Sequence, residues 1–437
     1  MTGNYLGIDF GTSNCSAGWL AQATPVLANL DGEQHYLSSA LFVEFARDPD
    51  ADDDEQAYLN ASLTLRLKQD AKVHVGQAAH QAYSQRPESG IFIRSPKSML
   101  GSRLTPAQSQ IYTDISTLLL QAIKDRAEQQ TQRHCDYAVL GRPIHFQGID
   151  GASGDDRAEA MLREAAKRVG FKDISFAYEP VAAAMNYELQ LQTEQRVLVV
   201  DIGGGTSDIS MVRLGPARRQ QQDRQHDLLA HAGRRIGGVD MDIKLAIYSL
   251  MPLLGRGSRD KQGRPLPAAL FSDAVNIIDI YSQEQFYHAK TAAAIAQLQE
   301  QAAEPELIER FLTLYQQHLS YAVVQHAEQA KIALAKAPTI DVTLSAWQPA
   351  LQQRIDAQAL DQAIYIELAG IRKLIHQCIA DAGTAPDQIY LTGGASAAAG
   401  VMRQLQAECP DIPLIIGDRF GSVGKGLCQI AAERYGA

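Results

Sequence analysis

Short apolar runs separated by turn residues occupy the first 45 residues of the chain. The runs lie at residues 5–8, 16–20 and 25–30, and polar residues or glycine bound each of them. Runs of this length with such boundaries predict β-strands. Because only short turns separate them, we expect neighbouring strands to pair antiparallel.

A different pattern follows, in which apolar residues recur at helical spacing and short apolar runs stand between the helices. In the first predicted helix, Ile111, Ile115, Leu119 and Ile123 fall on one face. The predicted order is helix 105–131, strand 137–143, helix 155–169, strand 174–178 and a helix from residue 179. Strands that alternate with helices in this way favour parallel crossover connections.

The second half of the chain begins with a comparable series of elements. The pattern predicts a strand at 196–200, a polar hairpin loop at 216–227 and a mostly helical stretch at 242–336, which a basic loop at 256–267 interrupts. It then predicts a strand at 340–344 that restarts the sheet, a helix at 361–382 and a last central strand at 389–392. The acidic stretch 47–56 is predicted to be a solvated loop.

One short motif occurs in both halves. Ile-Asp-Phe-Gly-Thr-Ser at residues 8–13 returns as Val-Asp-Ile-Gly-Gly-Gly-Thr-Ser-Asp at residues 200–208. In each copy an apolar strand ends in an aspartate and continues into a glycine turn with hydroxyl side chains. Glycine lets backbone N–H groups approach a phosphate, and an aspartate can hold a hydrated cation. Two copies, one per domain-sized segment, predict two like domains that face each other across a nucleotide.

Composition excludes several classes of function. A chain of 437 residues has room for two or three domains, and its net charge of −10 argues against general binding to nucleic acid or to anionic membranes. No stretch approaches 18 uninterrupted apolar residues, and the N-terminus lacks a basic-then-apolar leader. The five cysteines form no Cys-x-x-Cys pair. They favour reduced thiols in the cytoplasm over disulfides or a structural metal site.

A further glycine turn, Gly393–Gly394, completes a set of motifs that identifies a family. The chain resembles the actin, sugar kinase and heat-shock ATPase superfamily, and within it the nucleotide-binding domain of DnaK-type chaperones, above all truncated DnaK-like proteins. The resemblance implies a duplicated α/β actin-like ATPase fold with ribonuclease H-like motifs. Two lobes, each with a mixed central sheet and a smaller insert subdomain, would surround a nucleotide cleft. We expect lobe I at 1–190 with its insert at about 38–112, and lobe II at 191–437 with a helical insert at about 238–338.

The resemblance also implies roles for individual residues at the phosphates of ATP or ADP. The two loops would hold the phosphates through Gly11, Thr12, Ser13, Asn14, Gly203, Gly204, Gly205 and Thr206. Three aspartates, Asp9, Asp201 and Asp208, would surround a hydrated Mg²⁺. Lys97 would orient the attacking water against the γ-phosphate, Glu179 would help to position that water, and Asp201 and Thr206 would complete the catalytic set.

The match is weaker at the adenosine. Residues expected to bind this part of the nucleotide are Gly237, Gly238, Glu328, Lys331, Gly393, Gly394 and Ala395. Two arginines that sandwich adenine in the family correspond to Ile332 and Ala397, and a family serine corresponds to Ala335. Because cation–π contacts contribute about 0.5–2 kcal/mol each, we expect lower affinity and looser base preference.

The function implied by the resemblance is a slow, Mg²⁺-dependent ATPase that acts on an unfolded or specific client protein. The family's hydrophobic linker and β-sandwich peptide-binding domain have no counterpart in the sequence, so we expect the usual way of clamping peptides to be absent. Three alternatives stay open. They are a nucleotide sensor with degenerate hydrolysis, a metabolite kinase and a filament-forming relative.

Overall fold

A computed structural model describes residues 4–44, 72–146, 152–219, 225–347, 351–418 and 421–436. The acidic stretch 47–56 and residues 220–224 of the polar hairpin loop lie outside these ranges. Within the described residues, no helix has both the length and the apolar character that crossing a lipid bilayer requires.

The β-strands of the described residues are numbered in chain order. They are β1 (Tyr5–Asp9), β2 (Asn14–Ala21), β3 (Thr24–Leu27), β4 (Leu37–Ser38), β5 (Ala40–Glu44), β6 (Lys72–Val75), β7 (Gly90–Arg94), β8 (Tyr137–Arg142), β9 (Asp173–Tyr178), β10 (Gln195–Ile202), β11 (Ser207–Leu214), β12 (Leu228–Arg234), β13 (Thr339–Thr343), β14 (Gln352–Asp356), β15 (Gln388–Thr392) and β16 (Leu414–Ile416).

The α-helices are numbered in the same way. They are α1 (Gln77–Gln85), α2 (Pro106–Thr131), α3 (Ala152–Arg168), α4 (Glu179–Glu188), α5 (Gly238–Leu245), α6 (Ala268–Asp273), α7 (Ile280–Phe286), α8 (Ala289–Gln301), α9 (Pro305–Gln316), α10 (Ser320–Ala333), α11 (Ala357–Ala363), α12 (Tyr365–Ala382), α13 (Ala399–Glu408) and α14 (Ser422–Tyr435).

Two central sheets repeat one topology. In lobe I the order is β3-β2-β1-β8-β9, and in lobe II it is β12-β11-β10-β15-β16. In both, the first strand of the lobe pairs antiparallel with the strand that follows it and parallel with the strand that returns after a crossover. This arrangement confirms the mixed central sheets and the two-lobed α/β fold that the family resemblance implies.

Two helices join the lobes. Helices α4 and α14 pack against each other between the sheets, within a core that takes side chains from β1, β8, β10 and β15. Small residues allow the close approach, since a Cβ on Gly426 would lie 1.8 Å from the carbonyl oxygen of Ala182. The alanines at 182–184 are fully buried in this contact.

Additional segments extend from the two sheets. In the first half of the chain, β6, β5 and β7 form a separate antiparallel sheet that α1 covers. In the second half, helices α6–α10 form the predicted helical stretch. The basic loop at 256–267 carries two isolated β-bridges, one between Arg259 and Pro265 and one between Asp260 and Ala302.

The structure corrects several boundaries. The strand predicted at 340–344 exists as β13, but it pairs with β14 alone and does not restart the central sheet. The helix predicted at 361–382 is broken at Ile364, where φ is −104° and ψ is 19°, and its first part begins at Ala357, after the N-cap Asp356. The strand predicted at 389–392 is the interior strand β15, as expected, and the three-residue strand β16 lies beyond it at the edge of the sheet. The strand predicted at 25–30 ends at Leu27.

Candidate nucleotide site

The first glycine loop connects β1 to β2 and contains Gly11, Thr12 and Ser13. Ser39 fixes its shape from the opposite side: Ser39 Oγ donates a hydrogen bond to the Gly11 carbonyl at 2.7 Å, and Ser39 N donates to the Ser13 carbonyl at 2.9 Å. Thr12 is buried, whereas Ser13 and Asn14 are partly exposed. Two carbonyl groups of the loop, those of Gly11 and Ser13, therefore accept hydrogen bonds from Ser39.

The second glycine loop is the turn between β10 and β11. Gly203 N donates to the Thr206 carbonyl at 2.9 Å, and the start of α5 supports the turn, since Gly238 N and Val239 N donate to the carbonyls of Gly203 and Gly204. A Cβ on Gly204 would lie 1.9 Å from Ser13 Oγ. The two loops therefore contact each other, and only glycine fits at this point.

The third glycine turn lies against the end of β10. Gly393 has φ +83°, and a Cβ there would lie 2.3 Å from the Ile202 carbonyl oxygen. Ala395 follows in a short 3₁₀ turn. A Cβ on Gly238 would meet Ala395 Cβ at 3.1 Å and Lys331 Nζ at 3.2 Å. Residues from three distant parts of the sequence, Gly238, Lys331 and the turn at 393–395, thus converge beside the second loop.

A lysine–glutamate pair lies at the centre of the site. Lys97 follows β7 in a 3₁₀ turn (Pro96–Met99), and Glu179 is the first residue of α4. Lys97 Nζ donates to Glu179 Oε1 at 2.5 Å, and the two side chains are only 6% and 13% exposed. Ser95, just before the turn, holds φ +57° and is buried. Backbone strain of this kind clusters at functional sites.

The three aspartates of the motifs have strongly perturbed acidity. Burial, and after it the carboxylate of Glu179, raises the pKa of Asp9 to about 8 and that of Asp201 to about 8. The same causes raise the pKa of Asp208 to about 7. Burial alone would lower the pKa of Lys97, but the charges of Glu179 and Asp9 outweigh it and raise that pKa.

These carboxylates fit a hydrated cation. One lysine, Lys97, interacts with four carboxylates: Asp9, Glu179, Asp201 and Asp208. When all of these groups are ionised, the cluster carries four negative charges and only one positive charge. Within the described residues, no three His, Cys, Asp or Glu side chains are placed to ligate a metal ion directly. Contacts through water are what Mg²⁺ favours, because it releases its hydration shell reluctantly.

The expected ribose contacts are already engaged. Lys331 Nζ donates to the Gly238 carbonyl at 3.0 Å and lies 2.6 Å from Asp242 Oδ1. Arg94 Nη2 donates to both carboxylate oxygens of Glu328, at 2.7 and 2.6 Å. The side chains of Lys331 and Glu328, which were expected to bind the ribose, therefore each have a protein partner.

The residues that replace the family's adenine contacts provide few interactions for the base. Ile332 is 59% exposed on α10, Ala335 is exposed, and Ala397 is half-buried. None of the three carries a cation or a hydrogen-bonding side chain for the base.

Sequence reasoning missed three supporting residues: Ser39, Arg94 and Asp242. Each acts through a partner far away in the sequence, such as Glu328 for Arg94, and no local pattern reports such a pairing. The one available signal was a charged residue at the end of the apolar strand at 90–94, since buried arginines are rare unless paired.

The chain was compared with models of protein families. Residues 5–252 fit the family described as Hsp70 protein. This range is more than half of the chain and contains both repeated loops, Lys97 and Glu179. It ends before Glu328, Lys331 and the third glycine turn.

Proposed function

The chain belongs to the Hsp70 protein family, and from that premise we propose that it is a Mg²⁺-dependent ATPase that slowly hydrolyses ATP to ADP and phosphate. The observation that carries the proposal is the buried Lys97–Glu179 pair, which interacts with Asp9, Asp201 and Asp208 beside two contacting glycine loops. Catalysis would rest on positioning and on electrostatic stabilisation, as in phosphoryl transfer generally.

Each group would then have a distinct task. The amides of the loops at 11–14 and 203–206 would bind the β- and γ-phosphates, with the Thr206 hydroxyl at the γ-phosphate. The aspartates would hold the hydrated Mg²⁺, which supplies positive charge at the transferring phosphoryl group. Lys97 and Glu179, fixed by their mutual hydrogen bond, would orient the attacking water. The pocket for adenosine would include Gly237, Gly394 and Ala395.

We further propose that the nucleotide state controls contact with a client protein in the cytoplasm. All five cysteines are free and buried, which agrees with a reducing compartment. Lobes I and II, with the boundaries given above, would be the moving parts. The experiment below therefore includes an unfolded protein as a client.

A nucleotide sensor without efficient hydrolysis is the second candidate. It is favoured by the pairing of Glu328 with Arg94 and by the exposed Ile332, both of which reduce the contacts available to adenosine.

Phosphate release from Mg-ATP, measured with and without an unfolded protein, tests the proposal. We expect Lys97→Ala and Asp201→Asn each to lower the rate by at least about 100-fold, because groups that position the nucleophile or stabilise transition-state charge are worth that much. Lys172→Ala, at a lysine whose side chain is 67% exposed, is the matched control and should retain the wild-type rate. Wild-type turnover in Lys97→Ala would contradict the assignment. Binding of ATP without release of phosphate by the wild type would favour the sensor.

A further inference from the structure

An arginine at the end of β8 lies beside the residue that precedes Glu179. Arg142 and Tyr178 are register partners at the carboxyl ends of the parallel strands β8 and β9. The guanidinium carbon of Arg142 lies 5.2 Å from the centre of the Tyr178 ring and 5.4 Å from that of the Phe146 ring. Such distances are typical of cation–π contacts, in which a guanidinium lies over an aromatic face.

Protein acceptors fix the guanidinium of Arg142 in this position. Its Nε donates to the Pro143 carbonyl and its Nη2 to the Ile144 carbonyl, each at 3.0 Å, and its Nη1 donates to Glu159 of α3. A second carboxylate of α3, that of Asp155, lies 3.6 Å from Nη2. Only 13% of the arginine side chain is exposed. Because the donors of the planar guanidinium point in fixed directions, these partners hold its orientation as well as its position.

The same end of β8 also contacts Glu179. Successive residues of a strand point to opposite faces of its sheet. Arg142 contacts the ring of Tyr178 on one face. On the other face, a Cβ on Gly141 would lie 3.1 Å from Glu179 Cγ and 3.3 Å from Glu179 Oε1. The side chain of the glutamate therefore packs directly against the strand.

The N-cap residue of α4, Tyr178, is not of a capping type. Its side chain makes no capping hydrogen bond with the described N–H groups of the first turn. Ser, Thr, Asp and Asn are preferred at this position because their side chains accept such a bond. Glu179, the first residue of α4, thus follows a residue whose ring is in contact with Arg142 instead of with the helix.

We propose that Arg142 is a positioning residue of the ATPase. By holding the ring of Tyr178, it fixes the start of α4 and with it the carboxylate of Glu179. The inference rests on the proposed function, in which Glu179 helps to orient the attacking water. None of the described partners of Arg142 named above is assigned to the nucleotide, so its loss should slow the hydrolytic step without weakening ATP binding. A displacement of about 1 Å can cost about 100-fold in rate.

Single-turnover hydrolysis of Mg-ATP by the full chain, together with the Kd for ATP, tests this inference. Arg142→Met should lower the rate of hydrolysis at least about tenfold and change the Kd less than about twofold. Arg163→Met is the matched control and should keep the wild-type rate. Arg163 lies 5.2 Å from the centre of the Phe176 ring, so it makes a similar contact with the same strand, but three residues before Glu179.

Hydrogen exchange of the nucleotide-free protein gives a second readout that does not depend on activity. Loss of the contact with Tyr178 should let the start of α4 open more often, so the amides of the segment 179–188 should exchange faster in Arg142→Met than in the wild type. In Arg163→Met their exchange should be unchanged.

Two substitutions of Tyr178 show whether Arg142 acts through its ring. Tyr178→Phe keeps the ring and should retain the wild-type rate, whereas Tyr178→Leu should lower the rate as Arg142→Met does. The double variant should be no slower than either single variant, because both substitutions remove the same contact. Melting curves establish that the variants fold. Tyr178 is 41% exposed, so Tyr178→Leu serves if Arg142→Met does not fold.

Several results would overturn the inference. They are a wild-type rate in both Arg142→Met and Tyr178→Leu, additive losses in the double variant, an equal loss in Arg163→Met, and a rise in the Kd for ATP as large as the loss of rate. Each of these leaves the proposed function intact. No phosphate release by the wild type would contradict the proposed function itself, and this inference with it.

Discussion

At the scale of single residues, the acidity of Asp9, Asp201 and Asp208 makes folding depend on pH. Their pKa values of about 8, 8 and 7 lie above the ordinary aspartate value of 3.8, because burial and Glu179 oppose ionisation. The folded chain therefore binds these protons more tightly than the unfolded chain. The resulting stability is complete below pH 3.8 and is lost as the pH rises through 7 and 8.

We expect the melting temperature of the nucleotide-free protein to fall between pH 5 and pH 8. Asp201→Asn should flatten this fall, because the amide does not ionise. Asp341→Asn is the control: hydrogen bonding to Arg354 lowers the pKa of Asp341, so this exposed group titrates below the window and its removal should leave the slope unchanged. Melting curves from pH 5 to 8 measure the effect. Equal slopes in wild type and Asp201→Asn would show that this carboxylate is ionised throughout.

At the scale of the elements, the third glycine turn shows how tightly the loops are fitted to the strands. Gly393 and Gly383 both have positive φ, +83° and +62°, but a Cβ on Gly393 would strike the Ile202 carbonyl at 2.3 Å, whereas a Cβ on Gly383 would meet no atom of the described residues within 4 Å. Gly383→Ala should therefore cost only the left-handed strain, about 1–2 kcal/mol of unfolding free energy. Gly393→Ala should cost clearly more, since backbone atoms must shift, and should weaken ATP binding. Urea unfolding of both variants measures the difference, and equal losses would show that the turn is free to relax.

The same elements show what the sequence could and could not predict. The loops at 8–13 and 200–208 were recognisable because their signal is local: an apolar strand, an aspartate and glycine follow one another directly. Strand β13 was recognised as a strand, yet its apolar residues do not specify a partner, and the sheet assigned to it was wrong. The three residues of β16 are too few to show a period. Arg94 and Glu328 are 234 positions apart, and only the folded chain brings them together.

At the scale of the whole molecule, a second contact joins the lobes, between β7 and α1 of lobe I and α10 of lobe II. Arg94 of β7 pairs with Glu328 of α10, and beside this pair the rings of Tyr83 and Phe92 pack against Tyr321 at centroid distances of 5.6 and 4.7 Å. These aromatic side chains belong to one continuous core that spans both halves of the chain. On the proposed function, a nucleotide held between the lobes would leave faster if this contact loosened.

We therefore expect Arg94→Met to destabilise the protein and to accelerate nucleotide release. Loss of the arginine leaves the Glu328 carboxylate without its partner in a largely buried position, and Glu328→Gln in the same chain should restore part of the stability. A double-mutant cycle by urea unfolding should give a coupling energy of about 1–3 kcal/mol. The cycle of Arg354→Met and Asp341→Asn is the matched control, since those side chains are 73% and 53% exposed and such pairs contribute about 0–1 kcal/mol. Dissociation of a fluorescent ADP analogue, measured by stopped flow, completes the test. If the Arg94–Glu328 cycle gave no more coupling than the exposed pair and left the dissociation rate unchanged, the lobes would be held together by the aromatic contacts and the loops alone.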